Sequence, residues 1–413
     1  MTDASTHQPT IVCIASFFKG NEFLRECKRQ GARAVLLTRE KMLKEEWARD
    51  CLEDLIATPN RGGGGYELYA EAAAHVARRA RVTRVVALEE YDVLTAARVR
   101  EELGLPGTGA TVARRFHDKL LMRARARESG ILVPDFVHLL NAVEVGEFLR
   151  RAPAPWLLKP RSGASAMGMR LLLEESEVWD ALAELDARPN PHERAPQHLL
   201  ESFVPGDVYH VDSLAAAGRV LFANVGRYGA PPFDVAHHGG VSTSHTPRRG
   251  SAEERNLLAA NERVLAALGF ETGTTHAEFI RGAADGRFYF LEAAARVGGA
   301  HTVETVEAAT GVNLWREWAR IELATGGRPY ELPHARRDHA GIAISLARQE
   351  WPDTSPYDDP EIVFRVRKPW HVGLVVRSTD YARTVELLED YRRRFAHDFL
   401  AVAPPEETPE QHL

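Results

Sequence analysis

Over the first hundred residues, short apolar and β-branched runs alternate with amphipathic stretches. TIVCIAS (10–16) leads into FFKGNEFLRECKRQG, which predicts a strand, a loop, a helix and a glycine stop. AVLLT (34–38) predicts a second strand. RVVAL (84–88) predicts a third, after a helix around 67–80. Strands alternating with helices predict a Rossmann-like parallel α/β domain over 1–112. Gly62-Gly63-Gly64-Gly65 falls between elements, outside the strand-to-helix context of a dinucleotide fingerprint, and reads as a flexible loop.

The pattern changes after this point. TVARRFHDKLLMRARARESG (111–130) predicts one helix ended by glycine. Next come a helix near 141–151, a strand at WLLKP (156–160), a Gly/Ser/Ala-rich turn, a strand at MRLLLE (169–174) and a helix near 176–188. HLLESFVPG (198–206) and VYHVDSLAAAGRVLFANVGRYG (208–229) read as strands, the second folded at Ala217-Gly218. PPFDVAHHGGVSTSHTPRRG (231–250) reads as a long polar loop, and 251–268 as a helix. HAEFIRGAADGRFYFLE (276–292) reads as a hairpin turning at Ala284-Asp285-Gly286. VETVEAATGVNLWREWARIELATG is read as helical. From 331, two strands (AGIAISLA and PWHVGLVVRS), a final helix and a polar tail predict a small C-terminal α+β region over 331–413, with the tail disordered.

Composition narrows the class without naming a function. At 413 residues the chain has room for two or three domains. Its 44% hydrophobic and 27% charged residues are those of a globular protein. A net charge of −6 gives no electrostatic footprint for nucleic acid. The 3 cysteines show no metal spacing, and an odd, sparse count fits a reducing cytoplasm. MTDASTHQPT has neither the basic region nor the apolar run of a signal peptide, and no apolar stretch is long enough to span a membrane.

Chemistry concentrates in 119–296. If the 276–292 hairpin has an odd loop, Glu278 lies opposite Glu292, with Cα atoms about 4.5–5.5 Å apart on one face. Two carboxylates that close repel unless a cation lies between them, and Mg²⁺ is commonly held by one or two carboxylates plus substrate phosphates. The other reading is two solvated acids on an exposed hairpin. Arg296 offers a bidentate phosphate donor, and Gly298-Gly299 allows close backbone approach. Lys159 ends an apolar strand before RSGASAMG (161–168), a loop able to fold over phosphates or to be an ordinary hairpin turn. Lys119 falls within the predicted helix, where a surface role is equally open. Glu201 sits where a strand runs into FVPG. His210 and Asp212 share one strand face, lining a cleft or serving structure. Arg227 is a candidate holder of a substrate carboxylate. His237, His238, His245 and His301 are candidate general bases.

Taken in order, DK…GILVP, WLLKPRSGASAMG, LLESFVPGDVYHVD and HAEF…FYFLEAAARVGG…ATGVNL resemble the ATP-grasp superfamily. The nearest branch is that of carboxylate–amine ligases, which includes L-amino acid ligases and biotin-carboxylase-like enzymes. The resemblance covers roughly 10–400 and is clearest over 112–325. It implies a two-lobed α+β core over 113–330, divided into 113–200 and 201–330, clamping ATP. It assigns phosphate contacts to Lys119, Lys159 and the loop residues Ser165 and Met167, and adenine contacts to Glu201, Ser202, Phe203 and Val204. Glu278 and Glu292 would hold Mg²⁺, with Mn²⁺ as a substitute, and Arg296 would meet phosphate or substrate.

Two departures qualify the resemblance. Ala294 stands where many members have an Asn metal ligand; L-amino acid ligases resemble this chain in having Ala-Ala-Arg there, which favours that branch over biotin carboxylases. Val208 stands where many carry a ribose-binding acid, leaving Asp207 as the substitute, with His210 and Asp212 beyond it in the cleft. The implied reaction is phosphoryl transfer to a carboxylate followed by attack of an amine, with Arg296, Lys159, Arg227 and His238 as its candidate catalytic residues. Biotin-carboxylase-like chemistry and a catalytically silent nucleotide-binding protein are the alternatives. Dimers are common in this family, which leaves a homodimer open; neither nucleic acid nor a membrane is expected as a partner.

Overall fold

The computed structural model describes residues 8–60, 65–163, 167–324 and 330–402. Ser165, Gly62 to Gly64 and the tail from 403 lie outside the described residues. The N-terminal strands are β1 (Thr10–Ile14), β2 (Arg33–Arg39), β3 (Leu52–Thr58) and β4 (Val82–Ala87), paired in parallel in the order β3-β2-β1-β4. Every residue of β1 is buried, which is why its sequence is an unbroken apolar run. The sequence pattern misses β3: LEDLIAT lies at the sheet edge, and its Glu53 and Asp54 are exposed. Helices α1 (Asn21–Arg29), α2 (Gly65–Ala77) and α3 (Val93–Glu102) complete this domain.

The single helix predicted over 111–130 is instead two, α4 (Ala110–Arg115) and α5 (Lys119–Glu128). Asp118 separates them. Its carboxylate accepts from the backbone N–H of Leu120 at 3.1 Å and of Leu121 at 3.4 Å, a side-chain N-cap. Lys119 is thereby the first residue of α5 rather than an interior one. Next come β5 (Phe136–His138), α6 (Ala142–Arg151), β6 (Trp156–Pro160), β7 (Arg170–Leu172), α7 (Glu175–Asp186) and β8 (His198–Ser202). These strands form an antiparallel sheet in the order β5-β8-β6-β7 over a core that includes Phe148, Trp156, Leu158 and Leu200. This is the first lobe.

The second lobe begins with β9 (Gly206–Ala216) and β10 (Arg219–Tyr228). They are joined at Ala217 and Gly218, whose φ of 51° and 73° suit a tight hairpin. The segment expected to be a polar loop contains α8 (Pro232–His238) and β11 (Ser242–His245). Next is α9 (Ala252–Leu268), capped by the Ser251 hydroxyl and closed by Gly269 at φ 82°. The predicted hairpin is β12 (Gly273–Gly282) and β13 (Phe288–Ala294). The following helix is split at Gly311 into α10 (Thr302–Thr310) and α11 (Leu314–Leu323). Last are β14 (His339–Leu346), β15 (Ile362–Arg365), β16 (His371–Ser378) and α12 (Tyr381–Asp398). The second lobe and the C-terminal strands share one eight-stranded sheet, ordered β13-β12-β9-β10-β11-β14-β16-β15. No described helix is long and apolar enough to cross a membrane.

Candidate active site

Glu278 lies opposite Glu292, but not because of the turn. Near the turn the pairs run Arg281 with Phe288, Ile280 with Tyr289 and Phe279 with Phe290. The next pair is Glu278 with Glu292, so Leu291 is an extra residue on β13. This β-bulge restores the facing acids that an odd loop would have given. Both carboxylates border a cavity of about 350 Å³ between the lobes, which Lys119, Lys159, Met167 and Glu201 to Val204 also line.

The cations come from the first lobe. Lys159, at the end of β6, is 4% exposed, and its Nζ donates to Glu201 Oε1. Arg123 donates to the other oxygen, Oε2, from Nε at 3.2 Å and Nη2 at 3.1 Å. Burial by itself would raise the Glu201 carboxyl; Lys159 and Arg123 outweigh it and hold it below the usual range. Burial lowers the Lys159 ammonium to about 8 against the pull of Glu201. Lys119 Nζ lies 2.7 Å from the Gly163 carbonyl and 3.2 Å from Glu292 Oε2. Burial would likewise raise Glu292, but Lys119 and Lys159 keep it below the usual range. Arg123 is a site residue that the sequence reading missed. Its spacing of four from Lys119 on one helix was the available signal.

A buried network supports Glu278 from beneath. Tyr228 Oη donates to Glu278 Oε1 at 2.9 Å, and His276 Nε2 lies 3.5 Å from the same oxygen. Asp212 meets His276 Nδ1 at 2.8 Å with one oxygen and His210 Nδ1 at 2.6 Å with the other. The far nitrogen of His210 meets Ser244 Oγ at 2.7 Å. Burial works against the His276 cation, but Asp212 raises it to about 10. Two glycines make room for the network. A Cβ at Gly298 would lie 2.8 Å from His276 Nδ1, and one at Gly226 would lie 2.1 Å from His210 Nε2. Gly298 thus makes room for side chains of this sheet, whereas the sequence reading attached its close approach to the Arg296 phosphate contact. Tyr228 and His276 were not singled out from the sequence.

Other sequence candidates lie apart from this cavity. His210 and Asp212 are in the network beneath it. Arg227 Nη2 pairs with Asp207 Oδ2 at 2.9 Å. Arg296 donates from Nε to Glu90 Oε2 at 3.0 Å, bridging to the N-terminal domain, and from Nη1 to the Val297 carbonyl at 2.9 Å. His238 is exposed on α8. His245 is in the wall of a smaller cavity, its Nε2 buried without a partner. His301, at φ 58°, is 3.4 Å from Glu304. α8 itself borders the main cavity through Phe233 and Asp234. Its His237 Nε2 lies 2.9 Å from the Met169 carbonyl across the cleft.

Superposition on the crystal structure of L-amino acid ligase from Bacillus licheniformis gives a TM-score of 0.72 at 17% identity, over 96% of this chain and 99% of that one. The chain has the ATP-grasp fold. No family model matches it. In sequence the ATP-grasp chain is similar to the L-arginine-specific L-amino acid ligase of Bacillus subtilis, at 21% identity over 239 residues, 58% of this chain and 57% of that protein. It is also similar to alanine–anticapsin ligase of Bacillus subtilis, at 26% identity over 284 residues, 64% and 58% of the two lengths. The chain thus spans a little under three fifths of each of these curated relatives.

In an ATP-grasp cleft, two carboxylates facing each other from paired strands form a hard oxygen donor set suited to Mg²⁺. Lys119 lies 3.2 Å from Glu292, so the pair already attracts a cation. Ala294 adds no third side-chain oxygen.

Proposed function

We propose that the chain is an ATP-dependent ligase that joins a small carboxylate, of amino-acid type, to an amine through an acyl phosphate, releasing ADP and phosphate. The carrying observation is that Glu278 and Glu292 face each other on the same cavity as Lys119 and Lys159. The two ligases of Bacillus subtilis and the ligase of Bacillus licheniformis support this reading by name.

On this reading Glu278 and Glu292 hold Mg²⁺, and phosphates and water complete its shell. The bound metal–nucleotide supplies the phosphoryl group and offsets its charge. Lys119 and Lys159 bind phosphate oxygens, with Met167 lining the same cavity; Ser165, the other loop candidate, lies outside the described residues. Glu201, Ser202, Phe203 and Val204 hold adenine at the lobe junction. Tyr228 and His276 fix the orientation of Glu278. Arg296, held by Glu90 at the domain junction, reaches the carboxylate substrate or its phosphate. Asp207, His210 and Asp212 belong to β9, whose Gly206 and Val208 line the nucleotide site, and Arg227 and His238 are the candidates for the substrate. Water would be excluded in part by α8, whose His237 meets the Met169 carbonyl across the cleft.

The test is mass spectrometry of reactions containing the protein, ATP, Mg²⁺ and pooled amino acids with simple carboxylic acids, beside Glu292→Ala. A new amide mass with ADP, absent from the variant, is expected. ATP left intact in every pool, with nucleotide binding retained, would count against ligase activity.

A further inference from the structure

A second cavity, of about 210 Å³, shares no lining residue with the nucleotide cleft. It lies between the N-terminal domain and the second lobe. Its walls come from β4, the turn at 106–108, the start of β12, and Trp318 and Glu322 of α11.

The polar groups there are unevenly matched. Arg84 Nε lies 3.5 Å from Glu322 Oε2, and Trp318 Nε1 donates to Glu322 Oε1 at 3.0 Å. Arg100 is bound only to neutral acceptors: Nε and Nη2 donate to the Thr108 carbonyl at 3.1 and 2.7 Å, and Nη1 to the Val85 carbonyl at 2.7 Å. Three of a guanidinium's five N–H donors are so used, leaving two. Among the described residues Arg100 makes no ion pair; of the two carboxylates in the wall, the buried Glu322 is engaged by Arg84 and Glu271 is exposed. Thr274 adds a second, independent signal. It is 1% exposed, lines the cavity, and its hydroxyl has no hydrogen-bond partner. A buried hydroxyl left unmet carries a desolvation penalty, which a ligand oxygen would recover.

We propose that this cavity is a second small-molecule site, which binds an α-amino acid with an apolar side chain. The carboxylate would take the free donors of Arg100 and the Thr274 hydroxyl, planar acid against planar guanidinium. The ammonium would face Glu322, whose charge also disfavours a dianion such as phosphate. Val93, Phe270 and Trp318 give the side chain an apolar wall. The volume suits a single amino acid rather than a nucleotide. The site is argued from its own residues and stands whether or not the cleft makes amide bonds.

The test is calorimetric titration of the full-length protein with L-valine, L-leucine, L-methionine and L-phenylalanine in turn. The same titrations are run on Thr274→Val, Thr108→Trp and Glu292→Ala. At least one of the four should bind. Its affinity should fall about tenfold or more in Thr274→Val, the loss of one hydrogen bond to a charged group. Thr108→Trp, which fills the cavity, should abolish binding, and Glu292→Ala should leave it unchanged. Thr274→Val replaces a group without a partner, so it tests the idea even if the tryptophan variant does not fold. No binding of any of the four at millimolar concentration overturns the proposal. So does binding that both cavity variants leave intact.

Discussion

At the scale of single residues, Glu201 is the most constrained group in the cleft. It is 2% exposed and answers both Lys159 and the wholly buried Arg123. Glu201→Gln would strand two cations in a low-dielectric interior. Breaking such a pair from one side costs about 3–5 kcal/mol, so a denaturation midpoint well below wild type is expected. Lys159 yields a second prediction. Burial holds it near 8, and phosphate oxygens would raise it again. ATP binding measured at a pH slightly above 8 should therefore take up protons, read as a dependence of binding heat on buffer ionisation, and Lys159→Met should remove that dependence. His245 behaves oppositely to a salt-bridged histidine. Burial, reinforced by Arg227, lowers it to about 4 from an ordinary 6.5. Between those values the unfolded chain binds the proton and the folded chain does not. Stability from this group is thus whole above pH 6.5 and is lost as pH falls towards 4, by roughly 2–3 kcal/mol. His245→Gln should flatten that part of the acid-unfolding curve.

At the scale of elements, what the sequence discloses depends on whether an element is set by its own pattern or by its neighbours. β6 and the 276–292 hairpin were readable because apolar alternation and a glycine turn specify them. β11 was not: STSH has no apolar alternation, since it pairs with β10 and β14 and its serines, Ser242 and Ser244, line a small polar cavity. The helix break at Asp118 left a visible signal, an Asp before a helical run, as did Pro232 for α8. Leu291 left none. A bulge is a relation between strands, and only the pairing shows that the acids face each other by means of one inserted residue. Deleting Leu291 would remove the bulge and leave Glu292 directly after Phe290, still opposite Glu278. The variant should keep Mg²⁺-dependent nucleotide binding and the secondary-structure content seen by circular dichroism, whereas Glu292→Ala should lose the binding. His237→Ala, which frees α8 from the Met169 carbonyl, should raise KM for ATP and speed proteolysis of the 161–168 loop.

At the scale of the whole molecule, the N-terminal domain is tied into the rest. Phe23 of α1 stacks edge-on to Trp318 at 5.0 Å, Glu26 takes a 2.7 Å bond from Arg320, and Glu90 holds Arg296. A chain beginning near residue 111 would expose the apolar side of α11 and should aggregate, whereas the intact protein should melt in one cooperative transition by calorimetry. The lobes are joined with equal economy. Lys119 belongs to the first and Glu292 to the second, and they meet at 3.2 Å across the cleft. Lys159 is likewise occupied by Glu201. Each of the two cavity lysines therefore already has an anion of the protein's own. A free phosphate or metal-free ADP can enter only by evicting a carboxylate and leaving it uncompensated. A nucleotide that arrives with a divalent cation performs a double exchange, its oxygens taking the lysines as its metal takes the acids. The two ligands should accordingly bind as one. The cleft would then screen its visitors by whether they carry both signs of charge, and ordinary cellular anions, however abundant, would be poor competitors.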